Sequence, residues 1–431
     1  MDKLKEVSAL ALKMLLESGA EDAAVSAGES VVNEFNLAEG EFTLFRTLES
    51  NSLSLTAYVG GKKGNLSINS FAEEAIKQAV SDCLQVAQAG VADEAWGLNP
   101  KAEEAGFDRG CRTPDTELFF ERCKEFKESV AKEFPHVLTT EIISQHRGGR
   151  TVYRNSKGAC LQSEGGAYSL FTDFAGNDGE NTSSFFYTGL VTTDLGTPFL
   201  DQQTLRRDHA AAEKSIITTP VEGKFTGTIV MEPGCAGDFI FSALELFTSD
   251  SSIIDGTSIW KDKLGTRVAA DMLTVSAAPL DERIIGGERW TGEGFISEDY
   301  DVIKDGVLNS FMLSLYAANK TGLKRSPNSA GVTVIKPGDK SLDEIIKGVK
   351  NGLLVGRFSG GAPSSNGDFS GVAKNSFRIE DGKITDAVSE TMISGNLADL
   401  LLNISAISAE TTTGESVIPW IAAEGVLISG K

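Results

Sequence analysis

The segment SFRIEDGKITDAV (residues 376–388) joins two short runs of alternating apolar and polar residues through Asp381-Gly382. Asp-Gly supplies the positive φ angles that a tight two-residue turn needs, so the segment reads as a β-hairpin. DVIKDGVLNSFML (residues 301–313) repeats the pattern around Asp305-Gly306. Stretches of helical period lie among these hairpins, including GCAGDFIFSALELFTSD (residues 234–250) after the strand-like FTGTIVMEP (residues 225–233). Hairpins with interspersed helices, without regular strand–helix–strand alternation, predict an α+β fold rather than a doubly wound parallel sheet.

Upstream, three parts are expected. Residues 1–110 read as an N-terminal α+β domain, 111–220 as a central helix plus strand-rich segment, and 221–431 as the C-terminal α+β domain. In the first part, Leu4, Val7, Ala11, Met14 and Leu15 share one helical face, and Gly19 is a natural stop. VVNEFNL, EFTLFRT and SLSLTAYV read as strands. The GGKKGN turn follows, and Ser70 with Glu73 spells a capping box ahead of a helix with Ile76, Ala79, Val80, Cys83, Leu84 and Ala87 inside. Residues 90–115, rich in Gly, Pro, Asp and Glu, read as a linker or long loop. A second amphipathic helix places Leu118, Phe119, Cys123, Phe126 and Val130 inward. Next comes a strand-rich region with turn signals at GG, NSKG and NDGE, then a short helix over residues 201–214. SGGAPSSNGDFSG (residues 359–371) reads as an exposed loop.

The chain of 431 residues has 41% hydrophobic content, enough for a sizeable core. Its 61 acidic against 40 basic residues give a net charge of -21, and no basic stripe offsets it. Tight nonspecific nucleic-acid binding needs such a stripe, so no direct nucleic-acid partner is expected. Five cysteines without CxxC spacing read as reduced thiols, the opening residues do not read as a signal peptide, and no apolar run is long enough to span a membrane. A cytoplasmic protein is expected.

Candidate chemistry is sparse. The histidines are His136, His146 and His209, none paired at helical spacing with another. Residues 210–431 contain no histidine, and Cys235 is the single cysteine there. A histidine-based zinc site built within the last part is therefore excluded by inventory. GVLISGK (residues 425–431) spells GxxxxGK without the following Ser/Thr and helix a phosphate loop requires. SIWK (residues 258–261) spells S-x-x-K without its companion elements. Cys235 near a helix start is a candidate reactive thiol or, more simply, a packed small residue. The acidic SEDYD (residues 297–301) reads as a solvated face.

Four segments in order, KLGTRVA (263–269), DVIKDGVLNSFMLSLYAANKTGLK (301–324), NGDFSGVAKNSFRIEDGKI (366–384) and ISGNLADLLLNI (393–404), resemble the TldD/PmbA family, also labelled modulators of DNA gyrase. The resemblance implies a cytoplasmic peptidase assembly of two related subunits. One, TldD-like, carries an HExxxH helix, with a cysteine completing its zinc site. The other, PmbA-like or TldE-like, has the same fold without those ligands. The equivalent helix here offers Phe239, Ile240, Phe241, Ser242, Ala243 and Leu244, and ESVIPWIAAEG (415–425) lacks the late cysteine. GDFS and SGNL resemble the PmbA-like type. The segment TGLKRSPNSAG (321–331) departs from relatives, with Pro327 where a Gly-rich loop is usual.

The resemblance therefore implies a non-catalytic subunit, with no catalytic or metal-ligating residue and no cofactor. Its expected partners are a TldD-like catalytic subunit or a second copy of itself, and an unfolded peptide substrate. Gly367, Asp368, Phe369, Ser370 and Asn396 are the candidates for facing the partner or a peptide channel. Two other readings stay open: an independent Ser/Cys hydrolase, or a non-enzymatic peptide-binding homodimer.

Overall fold

The computed structural model describes residues 1–38, 40–389 and 391–431. Its first half contains α1 (Asp2–Glu17), β1 (Asp22–Ala38), β2 (Glu41–Val59), β3 (Lys62–Ile68), α2 (Glu73–Ala89), β4 (Glu104–Gly110), α3 (Thr116–Glu133), β5 (Val137–Asn155), β6 (Cys160–Gly176), β7 (Phe186–Thr192) and α4 (Leu205–Lys214). The strands form one seven-stranded sheet in the order β3-β2-β1-β5-β6-β4, with β7 also pairing β6. Strands from residues 1–110 and from 111–220 thus share a sheet. β1 pairs with β5 from Ala24↔Asn155 to Ala38↔Glu141, and β4 runs parallel to β6.

Two helical layers close this sheet. α1 and α2 bury Leu4, Ala11, Leu15, Ile76 and Cys83 against Val25, Leu53 and Leu55. α3 buries Phe119, Cys123, Phe126 and Val130 against Phe35, Leu37, Tyr168 and Leu170. Each apolar stripe follows the expected helical period, except that Leu118 turns outward and is 39% exposed. Gly19, at φ +106, stops α1 in a backbone conformation that side chains resist.

Several local expectations are corrected. Ser70 and Glu73 form no capping box: the cap residue is Ala72, in extended conformation, and Ser70 Oγ instead accepts from the Ala72 N–H at 3.2 Å. Phe71 packs against the core there, which anchors the approach and moves the helix start downstream. EFTLFRT and SLSLTAYV are one 19-residue strand, β2. Residues 90–115 are not all loop, since they contain β4. Gly148-Gly149 is not a turn but lies inside β5, facing Gly166 and Gly165 of β6. The reason is crowding. A Cβ on Gly148 would overlap the Arg112 carbonyl, one on Gly165 the Arg109 carbonyl, and one on Gly166 the Cys111 carbonyl. The glycines let the end of β4 and the segment after it cross the sheet at backbone contact distance.

The second half is built on a ten-stranded sheet. Its order is Arg357–Gly360, Asp368–Lys374, Met392–Asn396, Ile418–Ser429, Lys224–Met231, Asn351–Val355, Phe377–Glu380, Lys383–Ser389 and Thr219–Pro220, with Ile404–Thr412 branching from Ile418–Ser429. Most pairings are antiparallel, and the fold is α+β. Both Asp-Gly turns form as read: φ is 45° and 76° at Asp381-Gly382, and 48° and 77° at Asp305-Gly306. The latter hairpin belongs to a separate four-stranded sheet. Residues 359–371 are a hairpin rather than a plain loop, with register running from Arg357↔Lys374 to Gly360↔Gly371.

α5 (Pro233–Thr248) follows Lys224–Met231 and packs across this sheet. Glu232 is its extended cap and Pro233 its first residue, where the missing N–H of proline costs nothing. Phe239, Ile240, Ala243, Leu244 and Phe247 form its buried stripe, with Phe239 edge-on to Phe369 at 4.9 Å. Among the described residues no helix is long and apolar enough to cross a membrane.

Candidate functional site

A cleft of about 870 Å³ opens between the two halves. One wall is the outward face of β6 and β7, where Phe171, Tyr187 and Gly189 project because successive strand residues alternate in direction. The second wall is the N-terminal half of α5, with Gly234, Gly237, Asp238 and Phe241. The third carries Gly356, Arg357 and Asn375, and residues 412–416 close one end.

The carboxylates here are in contrasting environments. Asp208, in the first turn of α4, accepts from Thr188 Oγ1 at 2.5 Å and Thr204 Oγ1 at 2.7 Å. Burial, and secondarily the nearby Glu232 charge, raise its pKa to about 7 despite those bonds and Arg207. Glu232 pairs with Arg207 at 3.2 Å. Burial also raises the Asp238 carboxyl. Cys235, beside them, is 1% exposed, and burial pushes its thiol far up, with Asp238 and Glu232 adding to the shift. A thiol held neutral in this way is a poor nucleophile, which favours the packing reading.

Phe171 and Tyr187 stack with centroids 6.2 Å apart, and Phe185 adjoins Tyr187 at 6.3 Å. The Arg357 guanidinium lies over both Phe185 and Tyr187, at 4.7 and 5.2 Å. The FFY run at residues 185–187, next to a strand, was the available sequence signal for this wall. Arg357 had none, because it reaches the aromatics from another sheet.

The other singled-out residues are otherwise engaged. His146, in β5, bonds through Nε2 to the Cys111 carbonyl at 2.6 Å, and burial lowers its pKa. His209 stacks on Phe174 at 4.0 Å, bonds the Leu205 carbonyl through Nδ1 at 2.7 Å, and is pushed by burial to about 4. His136 is exposed. Ser258 of SIWK donates to the Phe247 carbonyl at 2.6 Å. Asp299 and Asp301 of SEDYD accept from Leu280 N and Ser276 Oγ. GVLISGK lies largely in the strand Ile418–Ser429, paired with Lys224–Met231.

Gly367, Asp368, Phe369, Ser370 and Asn396 gather near the opposite end of α5. Asp368 and Asn396 are register partners. Asn396 Nδ2 donates to Asp368 Oδ1 and to the Asn366 carbonyl, both at 2.9 Å, while its Oδ1 caps the helix Leu397–Leu402 through Ala398 N. Those amide bonds, from Asn396 first and then Asn366, lower the Asp368 pKa. Gly367 sits at φ +93 against Phe247, Phe369 is core, and Ser370 is exposed. None of the five is among the described residues that line the cleft.

The profile of the PmbA/TldA metallopeptidase C-terminal domain matches residues 223–430, the part that holds α5 and the ten-stranded sheet. Metalloprotease PmbA of Escherichia coli O157:H7 is 26% identical over 432 aligned residues, 96% of this chain and 93% of that protein. The chain belongs to the TldD/PmbA family. A metalloprotease of Methanothermobacter thermautotrophicus is 28% identical over 295 residues, 64% of each chain. The crystal structure of TldE from Thermococcus kodakarensis superposes with a TM-score of 0.83 at 20% identity, covering 99% of this chain and 100% of that one, a likeness of fold.

Zinc held by a histidine pair on the helix equivalent to α5 does not fit these residues. α5 presents Gly234, Gly237, Asp238 and Phe241 to the cleft, its one thiol is buried, and its sequence holds no histidine. Among the described residues no group of three or more His, Cys, Asp or Glu side chains is placed to hold a metal.

Proposed function

We propose that this TldD/PmbA-family chain is the non-catalytic, PmbA/TldE-like subunit of a zinc metallopeptidase assembly, acting in the cytoplasm in peptide proteolysis or maturation. The observation that carries this reading is α5. It lies on the cleft, as a catalytic helix should, yet its cleft-facing positions are Gly, Asp and Phe where a zinc peptidase needs imidazoles. The chain would contribute a wall of the peptide path while a TldD-like partner supplies the metal. An extended peptide can be gripped through backbone hydrogen bonds along a sheet edge, without special side chains. β7 and Arg357–Gly360 are terminal strands of their sheets and both reach this cleft. Asp368, Ser370 and Asn396 are the partner-facing candidates, with Gly367 and Phe369 shaping that surface from below. The three-part division at 110 and 220 is proposed as sequence modules, the first two completing one sheet.

The test is reconstitution. Purified alone, the chain binds no stoichiometric zinc and cleaves no peptide, and cleavage appears when a TldD-like chain is added. A Ser/Cys hydrolase is disfavoured by the buried Cys235 and the backbone-bound Ser258. Labelling of Cys235 by an acylating probe would restore it. A peptide-binding homodimer without a catalytic partner is separated by copurification from the native cell.

A further inference from the structure

Arg357 stands apart from the other charged groups of the cleft. Its guanidinium is laid over the Phe185 and Tyr187 rings, and among the described residues it makes no hydrogen bond or ion pair. Its Nε is buried without an acceptor. The neighbouring cleft residue Asn375 is the mirror case. Its Nδ2 donates to the Phe185 carbonyl at 3.1 Å, but its Oδ1 is buried without a donor, and its backbone sits at φ +54. The same wall thus holds a cation lacking an anion and an acceptor lacking an N–H.

A partly desolvated guanidinium is costly without a counter-charge, and cation–π contact recovers only part of that cost. The planar fork of Arg matches a carboxylate in two-pronged fashion. The cleft's carboxylates are not that counter-charge. Glu232 is held by Arg207 and Asp208 by two threonine hydroxyls, and among the described residues neither Asp238 nor Glu415 forms an ion pair with Arg357.

Resting on the peptide-holding reading, we propose that Arg357, with Asn375, receives a peptide carboxylate, either the free chain end or an acidic side chain. The Arg357 guanidinium binds the carboxylate, the Asn375 Oδ1 accepts an adjacent peptide N–H, and Phe171 and Tyr187 flank an apolar neighbour. The site then favours peptides that place a carboxylate beside an apolar or aromatic residue.

Three N-acetylated hexapeptides test this by calorimetric titration against the full chain, alone and assembled with a TldD-like chain. They are AFAAFA with a free carboxyl end, its C-terminal amide, and the amide of AFAEFA. The expected result is that at least one carboxylate peptide binds about tenfold or more tighter than the plain amide. Preference for the first marks a chain-end site, and preference for the third an acidic side chain. Arg357→Gln removes the difference, while Arg357→Lys keeps part of it and serves as the folding control. Equal binding of all three peptides, or a preference that survives Arg357→Gln, overturns the carboxylate site and leaves peptide holding intact. No binding of any peptide in either setting overturns both.

Discussion

At the residue scale, Asp208 shows how the cleft tunes its own charge. Its pKa is raised from the ordinary carboxylate range to about 7, chiefly by burial. The folded state therefore keeps a proton that the unfolded chain has released between about pH 4 and pH 7. Stability contributed by this group is present below that window and is lost as pH rises through it. Asp208→Asn should flatten the fall in melting temperature between pH 5 and pH 8, measured beside the parent protein. An unchanged profile would mean that Asp208 is ionised in the native state. Residues of this kind were invisible beforehand. Asp208 reads as one more acid in a helix, and only its burial beside Glu232, which outweighs the Thr188 and Thr204 hydroxyl bonds, makes it different. The histidines illustrate the reverse. Their number and spacing already excluded a helical zinc pair, and the structure adds that His146 and His209 are buried and bonded to carbonyls.

At the scale of elements, periodicity was sufficient wherever one face is buried. The inner faces of α2 and α3, the stripe of α5 and both Asp-Gly turns were legible because each depends on nearest neighbours in sequence. Phe119→Ala, in the core beneath α3, should cost about 3–5 kcal/mol in chemical denaturation. Phe241→Ala, on the 49%-exposed face of α5, should cost less than about 0.5 kcal/mol. Gly148-Gly149, in the middle of β5, reads as a turn because composition cannot distinguish a bend from a crossing. What decides is the end of β4 and the segment after it, whose Arg109, Cys111 and Arg112 carbonyls lie against the glycines of β5 and β6. Gly166→Ala should lower stability by about 1–3 kcal/mol or more, since the Cys111 carbonyl is held by His146 Nε2 and the Arg147 carbonyl belongs to the β5 backbone. A variant as stable as the parent would show that β4 docks loosely.

At the scale of the whole molecule, the cleft exists because two sheets meet, and neither half carries it alone. β6, β7 and α4 supply one side, and α5 with the strand beginning at Arg357 supplies the other. Family membership is readable from four ordered segments, but the cleft is not, because its aromatic wall and Arg357 lie far apart in sequence. Asp368 and Asn396 lie outside the cleft lining, joined by strand register and by the Asn396 Nδ2 bond to Asp368 Oδ1. Metal content and peptidase activity, measured on the pure chain and again after mixing with a TldD-like chain, test the division of labour most directly. The prediction is no stoichiometric zinc, because the three protein ligands of a catalytic zinc site are not gathered among the described residues, and no cleavage by the chain alone, with cleavage in the mixture lost to a chelator. One equivalent of zinc in the pure chain, together with chelator-sensitive cleavage, would contradict it.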